Sequence, residues 1–128
     1  MTDAKTLVPI HPDALAAAQI AAPPEALLRV VVETFEGLAD PTRARILYAL
    51  TRGPLCVRDL AILTGLSESA VSHQLRFLRD RRLVTTRKTG NVVSYAADDH
   101  HVAALFREAE YHADHVWQDF PDHSYRAP

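Results

Sequence analysis

Cysteine is nearly absent from the chain: Cys56 is the only one in 128 residues. A lone thiol excludes an intrachain disulfide framework and fits a reducing cytosol. Long apolar runs are missing too. Nothing approaches the ~20 consecutive residues needed to cross a bilayer, so no membrane partner is expected. A basic n-region followed by an apolar stretch is lacking, so no secretory signal is expected. H-E-x-x-H and a Gly-rich phosphate loop are both absent, and an enzyme is not expected. Nor is either sign of charge in large excess. The net charge of −2 argues against a uniformly basic nucleic-acid binder.

What is present is unevenly distributed. Residues 41–90 hold ten Lys/Arg against three Asp/Glu, a net of +7, between acidic ends of −4 (1–40) and −5 (91–128). A basic middle between acidic flanks implies one face aimed at a polyanion. The length suits one domain with tails: a flexible N-terminal segment over 1–24, a domain over 25–118, and a tail over 119–128.

Residues 1–24 are punctuated by Pro9, Pro12, Pro23 and Pro24, with an Ala-rich run over 13–22 that predicts a short helix. Apolar residues at 27, 28, 31, 32, 35 and 38 follow a helical period. Asp40-Pro41 then reads as N-cap and first helical residue of a helix over 41–51, burying Ile46, Leu47 and Leu50. The next helix, 57–64, carries Leu60, Ile62 and Leu63, with Gly65 as its stop. Ser67 caps a further helix over 68–81 whose Val71, Leu75 and Leu78 face inward. Helix, short Gly-containing turn, helix is the helix-turn-helix arrangement. Two β-prone runs, 83–88 and 92–96, are joined by Thr89-Gly90-Asn91 and predict a hairpin. The expected fold is therefore mainly α with a β-hairpin wing, a winged helix-turn-helix.

The last helical run carries the chemistry. Asp99-His100-His101 and His112-Ala113-Asp114-His115 read D-x-H-x10-H-x-x-H. On one helix, His101 and His112 fall within roughly 20° of one face but about 16 Å apart. One ion with bonds of about 2 Å cannot touch both. His112 and His115, at i and i+3, can share one. If these residues are ligands, a second copy is needed: two such helices, antiparallel across a two-fold axis, set Asp99 and His101 of one subunit beside His112 and His115 of the other. Each site has three imidazoles and one carboxylate. The apolar residues Val102, Leu105, Phe106, Ala109 and Val116 offer a stripe for the pairing.

The segments Leu38-Ala39-Asp40-Pro41-Thr42-Arg43, Leu55-Cys56-Val57-Arg58-Asp59-Leu60 and Leu66-Ser67-Glu68-Ser69-Ala70-Val71-Ser72-His73-Gln74-Leu75 resemble the ArsR/SmtB family of bacterial metal-sensing repressors, over about residues 25–116. The resemblance implies a homodimer with the first and last core helices at its interface. It implies a repressor that binds double-stranded operator DNA when metal-free and is released by metal. The D-x-H-x10-H-x-x-H pattern is similar to the family's C-terminal-helix site for zinc and, in relatives, cobalt or nickel. It also implies that His112 donates its second ring N–H to the backbone near Arg82.

The expected metal ligands are thus Asp99, His101, His112 and His115, two from each subunit per site, with Zn(II) placed first and Co(II) or Ni(II) next. His123 is an added donor if the ion takes six ligands. A second site of Cys56, Asp59 and His11 is weighed against a buried structural thiol. The DNA-facing candidates are Ser67, Ser69, Ser72, His73, Gln74 and Arg76, with Arg87 and Lys88 on the wing. Arg79, Arg81 and Arg82 join these arginines as phosphate contacts. A winged-helix regulator of a non-metal signal is the alternative.

Overall fold

The computed structural model describes residues 6–118. They fall into two compact units that divide between Val32 and Glu33, inside the second helix. The N-terminal unit contains α1 (Pro12–Ala21), formed by the Ala-rich run with Pro12 at its start. No residue of α1 is buried, and the N-cap position, His11, makes no side-chain cap. The helix α2 (Glu25–Leu38) keeps the bounds its periodicity predicts, yet Leu27, Leu28, Val31, Val32 and Phe35 are all exposed.

The second unit runs α3 (Pro41–Leu50), β1 (Leu55–Cys56), α4 (Val57–Thr64), α5 (Glu68–Asp80), β2 (Val84–Thr89), β3 (Val92–Ala97) and α6 (His100–Gln118). The sheet order is β1-β3-β2, antiparallel throughout. Val84 pairs with Ala97 and Thr89 with Val92, so β2 and β3 form the wing, turned at Gly90 with φ 62°. The strand β1 has no counterpart in the sequence reading. Two residues are too short for a period; only the pairing of Leu55 with Tyr95 and Cys56 with Ser94 makes them a strand.

The core is Ile46, Leu47, Leu50, Leu60, Val71, Leu75, Leu78, Leu83, Val84 and Val102. Each of the helices α3 to α6 contributes the apolar positions of one face. Two expectations are corrected here. Ile62 and Leu63 lie on the solvent side of α4, which buries only Leu60. The apolar stripe of α6 is divided: Val102 is buried and Phe106 packs on the chain's own core, while Leu105 and Val116 remain exposed.

The D-P-x-R sequence has a physical account. The Asp40 carboxylate accepts the Arg43 backbone N–H at 3.0 Å, the N-cap bond of α3. The Arg43 side chain reaches back, donating Nε to the Gly37 carbonyl at 2.8 Å and Nη2 to that of Glu36 at 3.1 Å. One residue therefore satisfies carbonyls left over at the end of α2. Gly37 is buried against Leu83, and a methyl at Gly37 would overlap the Leu83 Cδ1 atom. The glycine is there for close packing.

Candidate nucleic-acid interface and metal centre

Ser67 begins α5 in extended conformation, and its Oγ accepts the Ala70 N–H at 3.0 Å. The hydroxyl proton is still free to donate outward. With Val71, Leu75 and Leu78 fully buried, the opposite side of α5 is fixed as its outer face. Ser69, His73 and Arg76 are exposed along it at helical spacing, and Ser72 beside them is half-buried. Gln74 is half-buried as well and lies about 140° round the helix from Ser69, on the flank toward the core. Arg58 of α4 pairs with Glu68 at 3.6 Å, an exposed ion pair worth little to stability.

The end of α5 is unusual. Arg82 adopts φ 58° although it is not glycine. Its N–H donates to the Arg79 carbonyl, and the Leu83 N–H donates to that of Leu78, both at 2.9 Å. This is the Schellman stop, with Leu83 and Leu78 packing together in the core. A left-handed arginine there costs about 1 kcal/mol relative to glycine. The turn leaves Arg82 exposed between reading helix and wing. Arg81, expected on the phosphate-facing surface, is instead turned inward: its guanidinium lies 3.6 Å from the centre of the Phe77 ring.

On the wing, Arg87 and Lys88 are exposed neighbours in β2, so their side chains leave opposite faces of the hairpin. Arg87 helps line a cavity of 360 Å³ with Arg52, Asp98, Asp99 and His100. Beyond it, the Arg52 guanidinium donates to the Tyr48 hydroxyl at 3.0 Å. That hydrogen bond, with the charge interaction beside it, raises the arginine's pKa above its ordinary value, and Glu110 adds to the effect.

Three of the four metal candidates lie along one uninterrupted helix, α6, and Asp99 immediately precedes it. The Asp99 Oδ1 accepts the Val102 N–H at 3.0 Å and closes the first turn of α6. The carboxylate is thus a helix cap, and Oδ2 takes no part in that bond. The cap is legible after the fact: Asp before a helical run is a cap signal. His101, His112 and His115 are all exposed. The His112 and His115 rings have centroids 6.5 Å apart, and the His100 and His101 rings 4.0 Å apart. His101 and His112 sit eleven residues apart on α6, about 16 Å along the axis. Among the described residues of one chain, no three His, Cys, Asp or Glu side chains converge as a metal site. The donor set suits zinc chemically, but one chain supplies only half of it at either end. His123 lies outside the described residues.

The weighed second site is brought together in part. Cys56 is half-buried, and its Sγ donates to Asp59 Oδ2 at 3.1 Å. His11 belongs to the N-terminal unit and is exposed. An apolar surface is also open beside α6. Phe35, Leu38, Ala39, Ala44, Leu105, Phe106 and Ala109 line an apolar groove of 400 Å³ between the end of α2, the start of α3 and α6.

A family model described as bacterial regulatory protein, arsR family, matches residues 40–86. Across 86 residues the chain is 48% identical to the HTH-type transcriptional regulator NmtR of Mycobacterium tuberculosis, covering 67% of this chain and 72% of NmtR. The chain belongs to the arsR family of bacterial regulatory proteins. A second relative, a transcriptional repressor SmtB homolog of Synechocystis sp., is 52% identical over 86 residues, 67% of this chain and 63% of that protein. The matching stretch thus spans just under two thirds of the Synechocystis protein. Among solved structures, a homodimeric winged helix-turn-helix DNA-binding domain from Mycobacterium bovis, described as a possible ArsR-family transcriptional regulator, superposes with a TM-score of 0.72. It shares 29% identity and covers 81% of this chain and 99% of its own. This arsR-family chain is accordingly a winged helix-turn-helix regulator of transcription.

Proposed function

We propose that the chain is a metal-responsive repressor that grips operator DNA as a homodimer in the cytoplasm and lets go when Zn(II) binds, with Co(II) or Ni(II) as substitutes. The observation that carries this is α6: one exposed helix with a carboxylate–imidazole pair at its start and an imidazole pair about 16 Å further on. Two antiparallel copies complete two sites of one carboxylate and three imidazoles. The apolar groove beside α6, and the exposed apolar residues of α2, supply the surface for the second copy.

Ser69, Ser72, His73 and Arg76 read base edges and phosphates from the outer face of α5. Arg82 and Lys88 hold the backbone on either side. Both reading heads engage only at a half-site spacing near 34–36 Å or its multiples. When bound, the ion supplies a cross-link between the two C-terminal helices. Asp99 and His101 of one subunit and His112 and His115 of its partner then hold α6 against α6 in one arrangement, and the heads are carried to a spacing that fits DNA poorly. His112 extends this to the reading helix by donating its other ring N–H to the backbone near Arg82.

Competition binding among Zn(II), Co(II) and Ni(II), followed by operator affinity of each loaded form, tests the reading. Zinc is expected to bind most usefully and to release DNA; an operator affinity indifferent to all three would mean a regulator of some other signal.

Arg82 gives an independent check. Arg82→Gly is expected to stabilise the fold by about 0.5–1 kcal/mol in urea denaturation, because glycine adopts the left-handed turn without strain. The same change removes a phosphate contact, so the slope of log affinity against log salt becomes shallower by about one per subunit. An unchanged slope would take Arg82 out of the interface.

A further inference from the structure

One cluster is not used by either proposed site. Phe77, half-buried on α5, is flanked by two arginines. The guanidinium carbon of Arg43 is 4.3 Å from the ring centre, and that of Arg81 is 3.6 Å from it. Arg43 is itself tied to the last carbonyls of α2 through Nε and Nη2, and its backbone N–H is tied to Asp40. The end of α2, the beginning of α3 and the last turns of α5 therefore meet at one aromatic ring. Arg81 carries a second signal. Its Nε is buried with no hydrogen-bond partner among the described residues. A buried donor left unpaired is costly, and stability alone does not account for an arginine turned inward at the end of a reading helix.

We propose that the Arg43–Phe77–Arg81 stack is a positioning element for operator recognition, fixing the tilt of α5 against the end of α2. The inference rests on the homodimeric DNA-binding reading above. The physical reason lies in the kind of contact. Planar guanidinium on a ring face resists rotation, because the attraction depends on the two planes staying stacked. An apolar contact of the same size tolerates sliding. Phe77 is one turn beyond His73 on the same helix, so any tilt about the ring moves the outer face of α5 directly. If α2 is where the subunits meet, the stack also sets the relation between one reading head and the dimer axis. Half-site spacing leaves little room for error in that relation.

The test uses the full-length chain. The wild type selects a duplex from a random pool, and affinity is measured for that duplex and for an unrelated one of equal length. Phe77→Leu keeps the apolar volume but removes the ring face; Phe77→Trp keeps a face; Arg43→Lys keeps the charge but loses the fork. Phe77→Leu and Arg43→Lys are each expected to weaken the selected duplex about tenfold. Affinity for the unrelated duplex and half-saturation by Zn(II) should stay at wild-type values, and Phe77→Trp should restore most of the selected-duplex affinity. A role confined to stability would lower both duplexes together, and that result overturns the proposal. So does wild-type affinity in both Phe77→Leu and Arg43→Lys, which leaves the DNA-binding reading intact. A wild type that selects no duplex removes that reading, and the positioning role falls with it.

Discussion

Zinc is expected to lower the operator affinity of the wild-type chain by about 100-fold, the upper range of coupling between two sites on one protein. Mixing two inactive variants shows where the coupling comes from. Asp99→Ala/His101→Ala leaves each chain only its second ligand pair; His112→Ala/His115→Ala leaves only the first. Neither homodimer can assemble a whole shell. In a mixed dimer the first variant offers His112 and His115, the second offers Asp99 and His101, and symmetry rebuilds one complete site of the two. Each variant alone should show no tight zinc binding and no zinc-dependent release. The mixture, after subunit exchange, should regain tight sites in about half of its dimers, and release with them. Fluorescence anisotropy on a labelled operator and equilibrium dialysis of zinc read the two quantities separately. Tight binding by either variant alone would place the shell within one subunit, against the spacing of His101 and His112 along α6. A mixture as inert as its parents would reject the shared site.

Leu75→Ala and His73→Ala separate fold from function on a single helix. Leu75 is fully buried among the core residues, while His73 two positions earlier is exposed. Truncating Leu75 leaves a cavity and is expected to cost about 3 kcal/mol. That is a large share of the 5–15 kcal/mol typical of a whole domain. His73→Ala should change stability by less than about 0.5 kcal/mol. Its operator affinity should nonetheless fall about tenfold if the imidazole touches a base edge. Urea denaturation followed by operator titration measures both. Equal destabilisation by the two changes would mean that α5 is rotated from the orientation described above.

Several features were readable from local signals. Asp40-Pro41, Ser67 and Gly65 mark helix ends through bonds made within a few residues, and the structure keeps all three. The inward face of α5 follows from the spacing of Val71, Leu75 and Leu78. What misled was pattern without context. Ile62 and Leu63 are apolar but lie off the one face of α4 that has a neighbour. Val102 read as pairing surface, yet the core behind α6 takes it first. Arg81 counts as a cation in any charge tally, and a ring at Phe77 turns it inward.

The order of helices, the wing and the two candidate pairs Asp99/His101 and His112/His115 are properties of sequence alone, because caps, turns and helical periods depend on residues a few positions apart. Family membership follows from the same strings of residues. The strand at Leu55-Cys56, the inward arginine and the meeting of α2, α3 and α5 at Phe77 belong to the tertiary structure. The strand and the junction at Phe77 depend on partners far apart in the chain; the ring that turns Arg81 inward is only four residues away, but no local propensity distinguishes an arginine that packs on such a ring from one left in water.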